Sequence, residues 1–282
     1  MNGAISMSAN YHAAIHLKLV TELHEHLGRG QVMVARFYVP ENLKAGQLSL
    51  DGSEFHHMVR VTRHQVGDTV RLFDGTGREA DAEITFTSRH AATLQVGNVQ
   101  AIPELDQPQL ILAVALPKSS RAGWLVEKAV ELGVSKIVPL KTSRSVVDAR
   151  ESKLDALRGN IVSACKQCGR SRLMTIESTV NWGEFVDSEM QNNISCVAHP
   201  GGVPFTDSLV STLATEAARS QKQSSMKSVI VAIGPEGGFT IDEVSHAATR
   251  GARLISLGPR ILRVETAGLT AAAVFQSAIL AN

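Results

Sequence analysis

Short apolar runs alternate with helical patterns from Gln109 to the C-terminus, and this alternation restricts the fold more than any other feature of the chain. Runs that are apolar throughout are typical of strands buried on both faces of a sheet. Strands that are separated by helices favour a parallel α/β sheet covered on both sides. The strand-type runs are Gln109–Leu116, Lys136–Leu140, Ile194–Ala198, Val229–Ile233 and Arg253–Leu257.

Helix start and stop signals lie between these runs. Ser120–Leu132 has a helical pattern that ends at Gly133, a residue suited to the left-handed position after a helix. Thr240 to Glu243 form a capping box, and Gly251 ends that helix. The Ala-rich stretch Glu265–Leu280 predicts a terminal helix. A further helix that ends at Gly169 is indicated by one apolar face, made of Leu154, Leu157, Ile161, Cys165 and Cys168.

The region from Arg36 to Pro103 has a different pattern, in which short strands alternate with turns. Its strand-type runs are Thr69–Phe73, Glu79–Thr85 and Ala92–Val96. Turns spaced about ten residues apart predict a small β-barrel or sandwich. One short helix is expected over Glu54–Arg60, and the segment Pro103–Pro108 is the expected linker between two domains.

Residues 1–32 differ from the rest of the chain. They contain four scattered histidines and no segment that would bury them. We expect them to form a disordered extension, and we hypothesise that translation begins at Met33. No apolar run approaches the roughly 20 residues that span a bilayer, and the first residues lack a secretory signal pattern. These features predict a cytoplasmic protein with no membrane contact.

Basic residues are concentrated in one part of the chain. The whole chain carries a formal charge of +1, but the span from Lys118 to Arg172 has twelve Lys or Arg against five Asp or Glu, a net charge of +7. Such a segment is typical of a protein that binds a phosphate backbone, although it could also be a solvated helix surface.

The cysteines do not indicate a disulfide framework or a metal site. There are three of them, and only Cys165 and Cys168 form a C-x-x-C pair. No second C-x-x-C or paired histidine completes a zinc site, so no metal is predicted. We interpret the pair as two small side chains on the apolar face of a helix.

Two glycine-containing segments follow predicted strands, where α/β proteins bind ligands. The first is Ile233-Gly-Pro-Glu-Gly-Gly-Phe239, which is neither a P-loop nor G-x-G-x-x-G and therefore disfavours nucleoside triphosphates and dinucleotides. The second is Leu257-Gly-Pro-Arg-Ile-Leu-Arg-Val-Glu-Thr-Ala267, which also leads into a helix. Together they predict a cradle at one edge of the sheet.

Two basic segments complete the pattern: Leu116-Pro-Lys-Ser-Ser-Arg121 with Glu127-Lys-Ala-Val-Glu-Leu-Gly-Val134, and Cys165-Lys-Gln-Cys-Gly-Arg170. In this order the four motifs resemble the SPOUT-class methyltransferases, and within them the RsmE group, which methylates N3 of uridine in 16S ribosomal RNA. The resemblance runs from about Arg36 to the C-terminus. It departs from the family at Lys166, where an acid is expected, and at Val264, where a small polar residue is expected.

This resemblance implies a PUA-like RNA-binding β-barrel over residues 33–104 and a trefoil-knotted methyltransferase domain over residues 105–282. It also implies a homodimer, S-adenosyl-L-methionine as the cofactor, and 16S rRNA, within the small ribosomal subunit, as the partner. The predicted cofactor residues are Gly234, Pro235, Glu236, Gly237, Gly238, Leu257, Gly258, Leu262 and Thr266. The predicted catalytic residues are Arg121, Arg263, Glu265 and Glu236, and the predicted RNA contacts are Arg60, Arg63, Arg78, Lys118, Arg170 and Arg172.

Three other functions fit parts of the sequence. One is an RNA-binding protein that has the fold but no activity, and another is a knotted methyltransferase that acts on a different RNA or on a ribose hydroxyl. The third is a dinucleotide-dependent oxidoreductase, suggested only by the alternation of strands and helices. The sequence lacks G-x-G-x-x-G and the acid that follows it in such enzymes.

Overall fold

The structure is a computed structural model that describes residues 34–103, 107–118, 120–146, 150–190, 193–209 and 228–280. The predicted extension over residues 1–32 and the predicted start at Met33 lie outside the described residues. No helix within the described residues is long and apolar enough to cross a membrane.

The N-terminal part folds into a six-stranded sheet. Its strands are β1 (Arg36–Tyr38), β2 (Gly46–Asp51), β3 (Thr69–Phe73), β4 (Arg78–Thr87), β5 (Ala91–Val96) and β6 (Gln100–Ala101). Their order in the sheet is β1-β3-β4-β5-β2, with β6 paired to β4. The pairings are antiparallel except for β1 with β3, which is parallel. The alternating pattern of β4 and β5 places one side of each strand in a separate apolar core.

The helix predicted over Glu54–Arg60 is instead two short pieces. An α-helix, α1 (Gly52–His56), is followed directly by a π-helical turn over His57–Val61. The wider turn closes with the amide of Thr62 donating to the carbonyl of His57, 2.9 Å away, and it buries Met58. Arg63 then has a φ of 58°, a left-handed conformation that is uncommon for a residue with a side chain.

The C-terminal part is the predicted parallel α/β sheet. Its strands are β7 (Leu110–Val114), β8 (Lys136–Lys141), β9 (Thr175–Ile176), β10 (Val180–Asn181), β11 (Ile194–Pro204), β12 (Val229–Ile233) and β13 (Arg253–Ser256). Their order in the sheet is β10-β8-β7-β12-β11-β13, with β9 paired to β8, and every pairing is parallel. The helices are α2 (Ser120–Glu131), α3 (Glu151–Cys168), α4 (Trp182–Ser188), α5 (Ile241–Thr249) and α6 (Val264–Leu280).

Helices cover both faces of this sheet, as predicted. Leu110, Leu112 and Val114 of β7 belong to the core that packs against α2, α3 and α6. Ile111 and Ala113 point to the opposite core, formed with α4 and α5. Because β7 is buried on both faces, all five of its residues are apolar.

The helix signals in the sequence are confirmed. Gly133 and Gly169 have φ values of 74° and 81° where α2 and α3 end, and Thr240 forms the capping box of α5 with Glu243. The C-x-x-C pair lies on α3, with Cys165 buried and Cys168 exposed, so only the first is a core residue. The trefoil knot stays a prediction.

Polar contacts join the N-terminal and C-terminal parts of the chain, and Lys166 makes one of them. Its ammonium lies 2.9 Å from Oε1 of Glu54 on α1, and Oε2 of Glu54 accepts the amide of Tyr38. The side chains of Lys166 and Glu54 are only 15% and 18% exposed. A second contact is the Ser171 hydroxyl, which donates to Glu79 of β4. Lys166 therefore makes a mostly buried ion pair with a residue of α1 in the N-terminal part of the chain.

Candidate active site

Loops from β7, β12 and β13 meet at the carboxyl edge of the parallel sheet. β7 and β12 are neighbours, but the chain proceeds from β7 to β8 on one side, whereas β11 and β13 lie beyond β12 on the other. Because the strands are parallel, the loops after β7, β12 and β13 all leave the carboxyl edge of the sheet, where open α/β sheets bind ligands.

A cavity of about 160 Å³ lies between the loops that follow β12 and β13. Seven of the predicted cofactor residues line it: Gly234, Pro235, Glu236, Gly238, Leu257, Gly258 and Leu262. Gly237 and Thr266 do not line it. The cavity is also lined by Ile233, Phe239, Ser256, Arg260, Ile261, Val264 and Ala267, and by Ala198 to Pro200 of β11.

Gly234 allows the loop to fold back on itself. A Cβ atom at this position would lie 3.0 Å from the Phe239 ring and 3.1 Å from the Phe239 amide nitrogen. Phe239 in turn packs against Trp182, with ring centroids 4.3 Å apart. A side chain at residue 234 would push the loop away from this aromatic support, so the glycine has a steric reason.

Arg121, near the start of α2, brings together two of the predicted catalytic carboxylates. Its guanidinium lies 3.5 Å from Oε1 of Glu236 and 3.7 Å from Oε1 of Glu265. The Glu236 side chain is 49% exposed, whereas that of Glu265 is 7% exposed. Oε2 of Glu265 is buried and has no hydrogen-bond partner among the described residues. A buried acceptor without a donor is uncommon in proteins, and this oxygen can accept a hydrogen bond from a polar group of a bound molecule.

Val264, the second departure from the family pattern, faces inward. Its side chain is 3% exposed and belongs to the core between the sheet and α6. Val264 therefore makes an apolar contact at the first residue of α6, and the adjacent carboxylate of Glu265 stays paired with Arg121.

His199 lines the cavity, and the sequence did not single it out. Its Nδ1 accepts a hydrogen bond from the amide of Gly201, 3.1 Å away. In the neutral ring this leaves the proton on Nε2. Strand β11 pairs irregularly with β13 between Ala198 and Val203, and the H-P-G-G sequence that interrupts its apolar run was the available signal.

Four of the predicted RNA contacts have exposed side chains: Arg60, Arg63 and Arg78 in the N-terminal part and Lys118 beside the start of α2. Arg263 is likewise exposed, directly before α6.

Arg170 and Arg172 are engaged within the protein. A guanidinium nitrogen of Arg170 donates to the carbonyls of Val134 and Val130, at 2.7 and 3.3 Å, and burial lowers the pKa of this side chain. The backbone at Arg172 forms isolated β-bridges with Gly75 and Thr76, which lie in the turn between β3 and β4. RNA contacts by these two residues stay a prediction, and any such contact would have to form alongside these internal contacts.

Within the described residues, no group of three His, Cys, Asp or Glu is placed to hold a metal ion.

Two family profiles match the chain in the order of its two sheets. Residues 50–97 match an RNA methyltransferase PUA domain, and residues 103–276 match an RNA methyltransferase domain. The second match covers more than half of the chain and includes all three loops of the candidate site.

Individual proteins give the same result. The chain is 31% identical over 247 residues to ribosomal RNA small subunit methyltransferase E of Synechocystis, covering 86% of this chain and 77% of the relative. A Legionella pneumophila protein solved with the bound cofactor S-adenosylmethionine has a TM-score of 0.76 and 29% identity, over 87% of this chain and 98% of that one. For ribosomal RNA small subunit methyltransferase E of Neisseria gonorrhoeae, bound to S-adenosylmethionine, these values are 0.75, 27%, 86% and 97%.

Proposed function

The chain belongs to the RNA methyltransferase family that includes the ribosomal RNA small subunit methyltransferase E proteins, and we propose that it methylates N3 of a uridine in 16S ribosomal RNA. It is an S-adenosylmethionine-dependent rRNA methyltransferase with a PUA-like domain ahead of the catalytic domain. The observation that best supports the site is the cavity between the glycine-containing loops after β12 and β13, together with the Arg121–Glu265 ion pair beside it.

The residues of the cavity fit this cofactor. Gly234 and Gly238 allow close backbone approach, while Leu257, Leu262 and Phe239 offer apolar surface for a flat base and an aliphatic chain. The free oxygen of Glu265 can accept a hydrogen bond from a polar group of a ligand or substrate. S-adenosylmethionine supplies a methyl group already activated by a sulfonium, so the protein has chiefly to align the reactants.

We assign the charge-stabilising role to Arg121. Uracil that loses its N3 proton carries negative charge on N3 and on both carbonyl oxygens. The guanidinium of Arg121 lies 3.5 Å from Glu236, which lines the cavity, and a fixed cation at this position would stabilise such charge. Arg263, exposed at the start of α6, is the second candidate for this role.

We propose a carboxylate as the acceptor of the N3 proton. Glu265 is favoured by geometry, because one of its oxygens contacts Arg121 and the other is buried and free to accept a proton. Glu236 is more exposed and is the alternative. The target base must be turned outward to reach either group, since N3 lies on the pairing edge of uracil.

The remaining assignments belong to the same proposal. We propose domains over residues 33–104 and 105–282, a homodimer, and the small ribosomal subunit as the context of the reaction. The Ala-rich helix α6 is compatible with a dimer face. The exposed arginines of the N-terminal domain and Lys118 support a grip on RNA phosphates, because cations on one surface supply the non-specific part of RNA affinity.

The test is a methylation assay on small ribosomal subunits from cells that lack the enzyme. The purified protein is incubated with labelled S-adenosylmethionine, the RNA is digested, and its nucleosides are analysed by mass spectrometry. We expect 3-methyluridine from the wild type and none from Arg121→Ala. No methylated nucleoside, with cofactor binding intact, would point to another RNA. A wild-type protein that does not bind the cofactor would overturn the enzymatic proposal.

A further inference from the structure

The loop after β8 is fastened to the loop after β12, although no predicted site residue lies in it. Residues 142–145 form a tight turn, in which the Thr142 amide donates to the Ser145 hydroxyl at 2.9 Å. Two side chains, Arg144 and Glu243, connect this turn to the segment 234–243 that begins with the cofactor loop.

Glu243 is the buried part of the connection. Its Oε1 accepts the Ser143 amide at 2.7 Å, and its Oε2 accepts the Thr240 amide at 2.8 Å, so one carboxylate holds both loops. Burial alone would raise the pKa of Glu243, but the hydrogen bonds from Ser143 and Thr240 hold that pKa below its ordinary value. The carbonyl of Glu243 also accepts the indole N–H of Trp182, which fixes the start of α5 to the core.

Arg144 is the exposed part of the connection. Its guanidinium donates to the carbonyl of Gly237 at 2.7 Å, and its Cδ would lie 3.3 Å from a Cβ atom at residue 237. Gly237 itself does not line the cavity, whereas its neighbours Glu236 and Gly238 do. Arg144 therefore holds the loop at a residue that does not itself line the cavity.

We propose that Arg144 and Glu243 are positioning residues that clamp the loop 234–239 in the form that binds S-adenosylmethionine. This inference rests on the proposed function. Glu243 fixes the base of the loop, and Arg144 fixes its tip through one charge-assisted hydrogen bond. Because Arg144 is exposed and Glu243 is buried, the contact at the tip is the weaker of the two and controls how often the loop opens.

The experiment compares Arg144→Ala, Arg144→Lys and a control, Arg150→Ala, which removes the same charge from an exposed position six residues away. Two quantities are measured: amide hydrogen exchange of residues 233–240 in the cofactor-free protein, and the Kd for S-adenosylmethionine by calorimetry. The exchange measurement needs neither cofactor nor activity, so it tests the clamp even if the proposed reaction is wrong.

We expect Arg144→Ala to speed exchange in residues 233–240 and to raise the Kd about tenfold, the effect of losing one hydrogen bond from a charged group. Lysine keeps a donor but not the planar guanidinium, so Arg144→Lys should raise the Kd about threefold. Arg150→Ala should change neither quantity, and kcat at saturating cofactor should stay within about twofold of wild type for Arg144→Ala.

Three results would overturn the proposal. Unchanged exchange in residues 233–240 of Arg144→Ala would show that the contact does not hold the loop. An unchanged Kd for the cofactor with a raised KM for RNA would make Arg144 an RNA contact instead. An equal loss of cofactor affinity in Arg150→Ala would show that the effect comes from removing one positive charge and not from losing the contact with Gly237.

Discussion

The guanidinium of Arg121 lies 3.7 Å from one carboxylate oxygen of Glu265, while the other oxygen of Glu265 is buried and has no hydrogen-bond partner among the described residues. The contact joins the start of α2 to the start of α6, two helices that are far apart in the chain. It leaves the second carboxylate oxygen of Glu265 available to accept a hydrogen bond or a proton, which is the basis of the role proposed for this residue.

The first prediction concerns this carboxylate. Glu265→Gln should lower kcat by about 10²–10⁴, the usual contribution of a general base, while Glu236→Gln should lower it less than about tenfold. Single-turnover rates at saturating cofactor measure the difference, with cofactor binding checked separately. Full turnover by both variants, with binding unchanged, would rule out a carboxylate base.

The second prediction concerns the seam between the two domains, which is formed by the contacts of Lys166 with Glu54 and of Ser171 with Glu79. Lys166→Ala should lower the free energy of unfolding by about 2–3 kcal/mol, because it leaves the mostly buried Glu54 carboxylate without its cation. The exchange Lys166→Glu with Glu54→Lys should recover only part of this loss, since a lysine at position 54 cannot accept the Tyr38 amide. Denaturant titrations of the single and double variants test the coupling, and strictly additive effects would contradict it.

The third prediction compares two adjacent glycines in β11. A Cβ atom at residue 202 would lie 2.6 Å from the Cα of Ile255 in β13, whereas one at residue 201 would lie 3.4 Å from the His199 ring. Gly202→Ala should therefore cost about 1–3 kcal/mol of stability and weaken cofactor binding by moving the loop after β13. Gly201→Ala should be nearly neutral. Thermal melts and calorimetry measure both, and equal melting temperatures for the two variants would contradict the steric argument.

The fourth prediction separates structural and RNA-binding roles of Arg170. Arg170→Ala removes the donor to the Val130 and Val134 carbonyls and should lower stability by about 2–3 kcal/mol. Arg170→Lys should lose less, because it keeps one donor. If the main effect of Arg170→Ala is instead a raised KM for RNA at unchanged stability, the side chain contacts RNA.

The fifth prediction is a dependence of stability on pH. The folded state holds the pKa of Glu243 below its ordinary value, so its contribution is fully present above about pH 4.3 and is lost as the pH falls through the lowered folded pKa. Glu243→Gln should cost about 1–3 kcal/mol at neutral pH, since an amide offers only one acceptor to two N–H donors. The difference between wild type and variant should shrink in acid. A constant difference from pH 7 to pH 3 would contradict this assignment.

Local signals predicted much of the catalytic domain. Val229–Ile233 has the bounds expected from its apolar run, and the caps at Gly133, Gly169 and Thr240 are formed by neighbouring residues. By contrast, β1 is three residues long and exists because it pairs with β3, more than thirty positions later. A strand that depends on such a distant partner leaves little trace in its own sequence.

The candidate site also contains some residues that the sequence predicts and others that it does not. The glycines of the loop after β12 were predictable, because their spacing is visible within a few residues. Arg144 was not, because its partner Gly237 lies 93 positions away and an exposed arginine has no distinctive pattern. The ion pair of Lys166 was not predictable either, because its partner Glu54 lies 112 positions earlier, in the other domain.

The seam formed by Lys166 with Glu54 and by Ser171 with Glu79 fixes the distance between the exposed arginines of the first domain and the cradle of the second. An enzyme in which this distance is fixed selects its target by the three-dimensional structure of the RNA. For the proposed reaction, the phosphates that we propose to contact the first domain would have to lie at the matching separation from the target uridine. Short linear RNAs that carry the same nucleotides around the uridine would lack that layout and would be poor substrates.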